Sequence, residues 1–467
     1  MVKYPAGALQ ADAQYTPALR ALYQGNPWIE ALPDSLFDAD LFHALHKKTP
    51  YHANERTLDC HTRKECIQAL PHVFIPMGKT GEIARKIDAA IREGYVGRNP
   101  LDSCWNRQMG QLQSCIHHRD SSFISIPGYN ARASGFCLVG DSGMGKTSTI
   151  NHTLALYPQV LFHQAYHNMP FHNVQLVWMR LECPMDASVK GLCSEFFMEL
   201  DRITGDNTFA KFASGGRATT DQMIPQMAMI AQRHGLGLLV IDEIQNLSSA
   251  KSGGAQRMLN FLVQLINKIG LPLLLVGTPP AMQMLSANLM TARRTSGQQG
   301  LTVLSPLEND TFDWDTFTKG IWRYQWTAEI TPITLQLQNE LHAQSYGNID
   351  AAVKLFMEAQ RLAIQNGQHG EKEVITRQLI REAAASSEFR FISQRLKTES
   401  SLRAKMSVQQ ANISAAPGSA SAPPNTPLSA AAKNRPSPVG IQEIKTGEVL
   451  LDSLMQDGQL VRPEDEF

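Results

Sequence analysis

A glycine-rich octapeptide carries the clearest chemical signal in the chain. Residues 140–147 read GDSGMGKT, which fits the pattern G-x-x-x-x-G-K-[ST]. In such a loop the backbone N–H groups turn inward around phosphate oxygens, and the dipole of the following helix adds to the attraction. Lys146 is expected to reach the β- and γ-phosphates, and Thr147 to give its hydroxyl to Mg²⁺. We therefore predict an ATP and Mg²⁺ site formed by Gly140, Asp141, Ser142, Gly143, Met144, Gly145, Lys146, Thr147 and Ser148.

Further along the chain, two acids close an apolar run. Residues 238–243 read LLVIDE, and the carboxyl end of a parallel strand is where such sheets bind ligands. We predict that Asp242 contributes to the Mg²⁺ shell and that Glu243 orients and deprotonates the attacking water. The alternative is that the two acids simply end the strand, as acidic residues often do. Beside the glycine-rich loop, however, this pair favours ATP hydrolysis over phosphate transfer to a small molecule.

Two later positions add to the predicted site. The run LPLLLVGT ends at Thr278, where a polar group can sense the γ-phosphate or the water if the strands are neighbours; the alternative is that Thr278 and Pro279 merely start a turn. Arg293 and Arg294 follow a short helical stretch. In a ring or filament, one of them can project into the neighbouring subunit's nucleotide as an arginine finger, and the alternative is a solvated charge pair.

The elements that position these residues follow from hydrophobic periodicity. From Phe136, short apolar runs alternate with longer segments of helical spacing, and the runs are FCLVG, VQLVWMRLE, GLLVID, LPLLLVGT and GLTVLSPL. Continuous apolar runs are typical of buried parallel strands. The glycine-rich loop lies between FCLVG and the helical stretch TSTINHTLALY, which is the context its motif requires. The sequence thus predicts an α/β fold with a doubly wound parallel sheet of five strands.

Composition changes divide the rest of the chain. Residues 1–118 form an extension without sustained periodicity, apart from the helical stretch EIARKIDAAIRE, and residues 119–309 form the α/β domain. Residues 310–405 carry helical spacing only. Residues 406–440 are rich in Pro, Ala and Ser and are predicted to be a disordered linker. Residues 441–467 regain apolar side chains among acids, which predicts a partner-binding segment, with an acidic tail that aids solubility as the alternative.

Composition also limits the compartment and the partners. Among the 467 residues, 43 Lys and Arg balance 43 Asp and Glu, so any nucleic-acid surface has to be local. Seven cysteines suit a reducing compartment, and without an export signal or a membrane-length apolar run we expect a soluble cytoplasmic protein with no membrane partner. Cys/His clusters at 60–72 and 104–118 lack paired C-x₂₋₄-C spacing, which favours thiols and imidazoles over structural zinc. Cys137 and Cys183 are expected in the core.

The order of the motifs resembles a known family. GDSGMGKT, LLVIDEIQNL, LLLVGTPPAM and ARR, followed by SYGNIDAAVKLF, are similar to the AAA+ ATPases of the TnsC/TniB group, which regulate transposition between a target selector and a DDE transposase. The resemblance covers about residues 119–395, and NPWIEALP also resembles the N-terminal extension of these proteins. It implies an AAA+ P-loop NTPase sheet with an N-terminal extension that contacts partners and a C-terminal helical lid, here residues 310–405.

The resemblance also implies roles for individual residues. Lys146 and Thr147 match phosphate and Mg²⁺ binding, Asp242 and Glu243 match the acidic pair, Thr278 matches the sensor, and Arg294 matches the finger. Such regulators wrap duplex DNA inside a filament and touch its backbone. The matching positions are Lys190, Lys211, Arg217, Thr219 and Thr220. The alternative is that Lys190 is a solvated helix residue and that residues 211–220 form an ordinary loop without DNA contacts. Shortly after Gly347-Asn348 the lid has Lys354 where an arginine would be expected, so no second sensor is assigned.

Together, the residues and the resemblance predict a Mg²⁺-dependent ATPase of the bacterial cytoplasm. It is expected to oligomerise on duplex DNA without sequence preference and to link a TniQ-type target selector to transposase subunits. A helicase loader or remodelling ATPase is the first alternative, because it would also bind ATP and DNA. An ATP-binding scaffold without DNA binding is the second.

Overall fold

A computed structural model describes residues 3–5, 7–118, 135–214, 219–249, 253–279 and 300–414. The chain divides into two compact units, Met1–Val408 and Gln409–Phe467. The described residues of the second unit, 409–414, are helical. The predicted segment 441–467 and most of the predicted linker lie outside the described residues. Helix Ser387–Ser414 continues past residue 406, where the linker was expected to begin, because no Gly or Pro interrupts the chain before Pro417.

The predicted parallel sheet of five strands is confirmed. Its strand order is β5-β6-β7-β2-β8, and all neighbours are parallel, with Leu138 opposite Val276 and Ile241 opposite Leu275. Helices cover both faces, which is why the central strands β6 and β7 are buried along their whole length. The described strands are Gln10–Asp12 (β1), Gly135–Gly140 (β2), Val160–Tyr166 (β3), Met169–Leu176 (β4), Trp178–Glu182 (β5), Leu238–Asp242 (β6), Leu273–Gly277 (β7) and Leu301–Leu304 (β8).

A second sheet, of order β1-β3-β4, was not predicted. Strands β3 and β4 form an antiparallel hairpin whose turn residues His167 and Asn168 have φ angles of 45° and 63°, the conformation that two-residue hairpins require. The run VQLVWMRLE, predicted as one strand, is therefore two. Its first residues belong to the hairpin and its last five to the parallel sheet, with Val177 between them.

Helices pack on both faces of the parallel sheet and form the lid. The described helices are Pro27–Glu30 (α1), Asp38–Leu45 (α2), Cys60–Cys66 (α3), Gly78–Val96 (α4), Ser103–His118 (α5), Lys146–Leu154 (α6), Val189–Thr204 (α7), Thr208–Phe212 (α8), Thr220–Arg233 (α9), Gly254–Gln264 (α10), Phe312–Trp322 (α11), Leu335–Ser345 (α12), Ile349–Gln368 (α13), Arg377–Ala385 (α14) and Ser387–Ser414 (α15). The helical stretch EIARKIDAAIRE is confirmed inside α4.

The extension contributes to two different cores. Trp28 and the buried face of α4 pack against the parallel sheet beside α6, whereas Ile67 and Leu70 pack among the helices of the lid. Arg63 ties this second part to the lid, because its Nη2 lies 2.8 Å from Glu373 Oε1 and both residues are nearly buried. The opposite face of the parallel sheet is covered by α7, α9 and α10.

Candidate nucleotide site

The glycine-rich loop connects the end of β2 to the start of α6. Gly143 and Gly145 have φ angles of +84° and +76°, which residues with a side chain rarely adopt. Gly145 is the N-cap of α6, so the free N–H groups of the first helical turn face the loop. The loop has the backbone conformation and the helix end that bind phosphate in such motifs.

Lys146 folds back over the loop. Its Nζ donates to the carbonyl oxygens of Gly140 at 2.8 Å and Asp141 at 3.0 Å. Burial lowers the pKa of the Lys146 ammonium below its usual value, while Asp242, Glu243 and Asp141 oppose that shift. The lysine is thus held among weak neutral acceptors that a polyphosphate can replace.

The acidic pair lies at the carboxyl end of β6. Asp242 is 3% exposed. Its Oδ2 accepts from Thr147 Oγ1 at 3.3 Å and from Arg180 Nη2 at 2.9 Å, while its Oδ1 accepts from the Glu243 backbone N–H at 2.9 Å. Glu243 has a positive φ of 56°, and its side chain is exposed at the cavity. The two carboxylates therefore occupy different environments, one buried and paired, the other open to a water molecule.

Thr278 directly follows β7, which lies between the acidic strand β6 and the loop strand β2. Its backbone N–H donates to Gln245 Oε1 at 3.2 Å, and Gln245 Nε2 donates to Glu243 Oε2. The neighbouring strands that the prediction for Thr278 required are present. Gln245 was not singled out from the sequence, although its place two residues after the acidic pair is a usable signal.

The lid contacts the glycine-rich loop through two hydrogen bonds. Asn348 Nδ2 donates to the Ser142 carbonyl at 2.9 Å, and the Asp350 backbone N–H donates to the Gly143 carbonyl at 3.0 Å. The Lys354 ammonium lies 2.8 Å from Asp350 Oδ2 within α13. The stretch SYGNID thus touches the loop through an amide and a backbone group.

One cavity of about 480 Å³ joins these parts. Its walls contain loop residues 142–149, the two acids and Thr278, together with Phe317 and Val353 of the lid. Residues 73–75 of the extension form a further wall. Gly140 and Asp141 do not line the cavity, and their carbonyls accept from Lys146. The structure brings the predicted loop, acids and sensor together, but their roles stay predictions.

Four of the predicted DNA residues lie on the layer formed by α7, α8 and α9. Lys190 is half-buried in the first turn of α7, and Lys211 is exposed on α8. Thr219 is the N-cap of α9: its side chain accepts from the Gln222 backbone N–H, so part of its polar capacity serves the helix. Thr220 opens the same helix. Arg217, Arg293 and Arg294 lie outside the described residues.

Comparisons with known proteins agree with this geometry. Residues 131–285 match the family model described as an AAA domain. The chain has the α/β P-loop fold of AAA+ domains, with a parallel sheet and a helical C-terminal part.

Likeness to solved structures is distant. The ORC2 protein of Aeropyrum pernix in its ADP form has a TM-score of 0.36 at 13% identity, over 61% of this chain and 69% of that one. Cdc6p of Pyrobaculum aerophilum has a TM-score of 0.37 at 13% identity, over 62% of this chain and 70% of that one. A Walker-type ATPase of Pyrococcus abyssi has a TM-score of 0.37 at 14% identity, over 64% of this chain and 75% of that one. No curated protein matches the sequence. Likenesses at this level carry no argument about function.

The donor set of the AAA+ site fits Mg²⁺. A hydroxyl and a carboxylate, from Thr147 and Asp242, lie 3.3 Å apart at the N-terminus of α6, and Mg²⁺ prefers such oxygen ligands beside substrate phosphates.

In the described ranges, no group of three or more His, Cys, Asp or Glu side chains could hold a metal ion. None of the helices described is long and apolar enough to cross a membrane. Cys137 and Cys183 are buried, as expected.

Proposed function

We propose that the chain hydrolyses ATP in this cavity and uses ATP binding to assemble on duplex DNA as a regulator of transposition. The observation that carries the ATPase part is a single cavity that contains the phosphate loop, Asp242 and Glu243, with the lid in contact with the loop. Mg²⁺, when bound by Thr147 and Asp242, neutralises charge on the phosphate oxygens.

The chain's own groups divide the work of hydrolysis. Lys146 leaves the two loop carbonyls and donates to the β- and γ-phosphates, while the N–H groups at the start of α6 hold the remaining oxygens. Glu243, exposed beside Thr278, accepts a proton from the attacking water. Gln245 contacts both Glu243 and the Thr278 backbone, which supports a fixed position for the base.

The DNA-binding part depends on the order of the motifs and on cations outside the cavity. Lys190 and Lys211 lie on the layer that covers one face of the sheet, and Arg217 lies between Lys211 and α9 in the sequence. Lysine and arginine on loops and at helix starts bind phosphates without reading bases. By the resemblance, the partners are further copies of the chain, a TniQ-type selector and transposase subunits, with Arg294 completing a neighbour's site.

Two variants test the ATPase part. Lys146→Ala removes the phosphate ligand and should abolish ATP binding and assembly, whereas Glu243→Gln should keep both and reduce turnover about a hundredfold or more. Nucleotide binding, hydrolysis and sedimentation with duplex DNA are measured for each. Wild-type turnover in Glu243→Gln contradicts the assigned base.

The DNA part has its own test. Neutralising Lys190, Lys211 and Arg217 should weaken DNA binding equally on unrelated duplexes. The plot of log affinity against log salt should become less steep, by about 0.9 for each phosphate that the variant no longer neutralises. Lys319→Gln, an exposed lysine on the lid, is the matched control. An unchanged slope contradicts this surface. ATP turnover without DNA sedimentation favours the scaffold, and DNA binding without transposase capture favours the loader.

A further inference from the structure

The carboxylate of Asp242 is engaged by an arginine that the sequence motifs do not include. Oδ2 of this buried side chain accepts from Arg180 Nη2 at 2.9 Å as well as from Thr147 Oγ1 at 3.3 Å. The Asp242 side chain is 4% exposed and the Arg180 side chain 28%. A buried carboxylate without a counter-charge is strongly disfavoured, and Arg180 is the cation in direct contact with Asp242, with Lys146 as a further charge nearby.

Strand register explains how Arg180 reaches this position. Arg180 on β5 lies opposite Val240, and Glu182 lies opposite Asp242. Because side chains alternate along a strand, Arg180 and Asp242 project from the same face of the sheet. Helix α6 covers that face, and Arg180 Nη1 donates to Asn151 Oδ1 there at 3.0 Å. The guanidinium is thus anchored to the helix that begins at Lys146.

Arg180 occupies the part of the carboxylate that a metal ion would need. Each carboxylate oxygen offers about two acceptor sites, and both sites of Oδ2 are taken, one by Thr147 and one by Arg180. A dication held by the Thr147 hydroxyl would use the same oxygen, directly or through a bound water. It would also be repelled by the guanidinium charge at short range.

We infer that Arg180 competes with Mg²⁺ for Asp242: it pairs with Oδ2 of the carboxylate and leaves this oxygen when the metal and nucleotide bind. Nη1 on Asn151 gives the guanidinium a second anchor that does not involve the carboxylate. Arg180 therefore sets the Mg²⁺ concentration at which the site fills. This inference rests on the proposed function of the same site.

The test is a titration of free Mg²⁺ at a fixed, low concentration of a fluorescent ATP analogue. Arg180→Met removes the charge and keeps the apolar stem, and we expect the Mg²⁺ midpoint to fall by about tenfold or more, because the guanidinium charge no longer repels the dication. Arg180→Lys keeps a charge but not the paired donors, so its Mg²⁺ midpoint should lie between those of wild type and Arg180→Met. Arg202→Met, which breaks the exposed pair with Glu199, is the control and should match wild type.

A midpoint in Arg180→Met that is unchanged, or that moves to higher Mg²⁺, overturns the inference. The second result would make Arg180 a support for the metal ligand. Loss of a residue that only supports the Asp242 carboxylate would raise the midpoint, so a lower midpoint distinguishes competition from support. If Arg180→Met does not fold, the midpoint of Arg180→Lys decides in the same way. Failure of the proposed function is seen separately, because wild-type binding would then show no Mg²⁺ dependence.

Discussion

The contact between the lid and the glycine-rich loop gives a quantitative prediction for Gly143→Ala. Gly143 has a φ of +84°, and a Cβ there would lie 2.7 Å from Asn348 Oδ1 and 3.0 Å from Asp350 Cβ. Asn348 cannot easily move away, because its Oδ1 caps α13 at the Ala351 N–H and its Nδ2 binds the Ser142 carbonyl. The substitution therefore adds both backbone strain and a steric clash with the lid.

The two contributions can be separated with a matched control. Gly205, the residue after α7, has a φ of +76° and no heavy atom within 4 Å of a built Cβ. Gly205→Ala thus carries the left-handed strain alone, about 1–2 kcal/mol. Gly143→Ala carries the same strain and the clash, and overpacking of this kind costs about 1–3 kcal/mol more.

The free energy of unfolding is measured by urea denaturation without nucleotide, so that altered phosphate binding does not enter. We expect Gly143→Ala to be less stable than Gly205→Ala by about 1–3 kcal/mol. Asn348→Ala in the Gly143→Ala background should recover part of the loss, giving a non-additive cycle. Equal losses for the two glycines, with additive effects of Asn348→Ala, would refute the lid contact in the free protein.

Three further predictions concern titration and ion pairing. Burial lowers the pKa of His163 to about 4. The unfolded state therefore binds more protons than the folded state below about pH 6.5, and about 3 kcal/mol of the free energy of unfolding should be lost as the pH falls from about 6.5 to about 4. In urea melts, His163→Gln should lessen this loss. Arg63→Met and Glu373→Gln should each destabilise by about 3–5 kcal/mol, and the double variant by less than their sum, as measured by the same melts. Since burial lowers the pKa of Lys146 and phosphate would raise it again, ATP binding should take up protons and weaken as pH rises through the lowered value. Calorimetry in buffers of different ionisation enthalpy measures this uptake, and an uptake of zero at every pH up to about 10 would contradict the prediction.

Local patterns were sufficient to predict the phosphate loop and the acidic pair. The loop has a fixed spacing between strand and helix, and the run before Asp242 is apolar because both faces of its strand are covered. The parallel α/β sheet follows from such runs in order, and the resemblance of the motifs implied the AAA+ form of that fold. Strand β1, three residues long, pairs with a strand in which His163 and Gln164 interrupt the apolar residues, so neither has a readable period. The second sheet was missed for that reason.

Contacts between distant residues were beyond the sequence. The pair formed by Asn348 and Ser142 joins residues 206 positions apart, and the pair formed by Arg63 and Glu373 joins residues 310 positions apart. Arg180 left a signal, since it is the one charged residue inside the otherwise apolar run LVWMRL. Its partner, however, depends on the register between β5 and β6, which periodicity does not determine.

The division of the extension between two cores has a consequence for the nucleotide site. Ile67 and Leu70 belong to the core of the lid, and Ile83 and Ile87 of α4 belong to the core against the sheet. The short connection between them, residues 73–77, passes along the wall of the cavity. A change in the distance between lid and sheet must therefore displace this connection, because both of its ends are fixed by packing. The extension is thus a structural part of the cavity, and if residues 1–118 bind a partner as predicted, we expect that binding to alter nucleotide affinity through this connection.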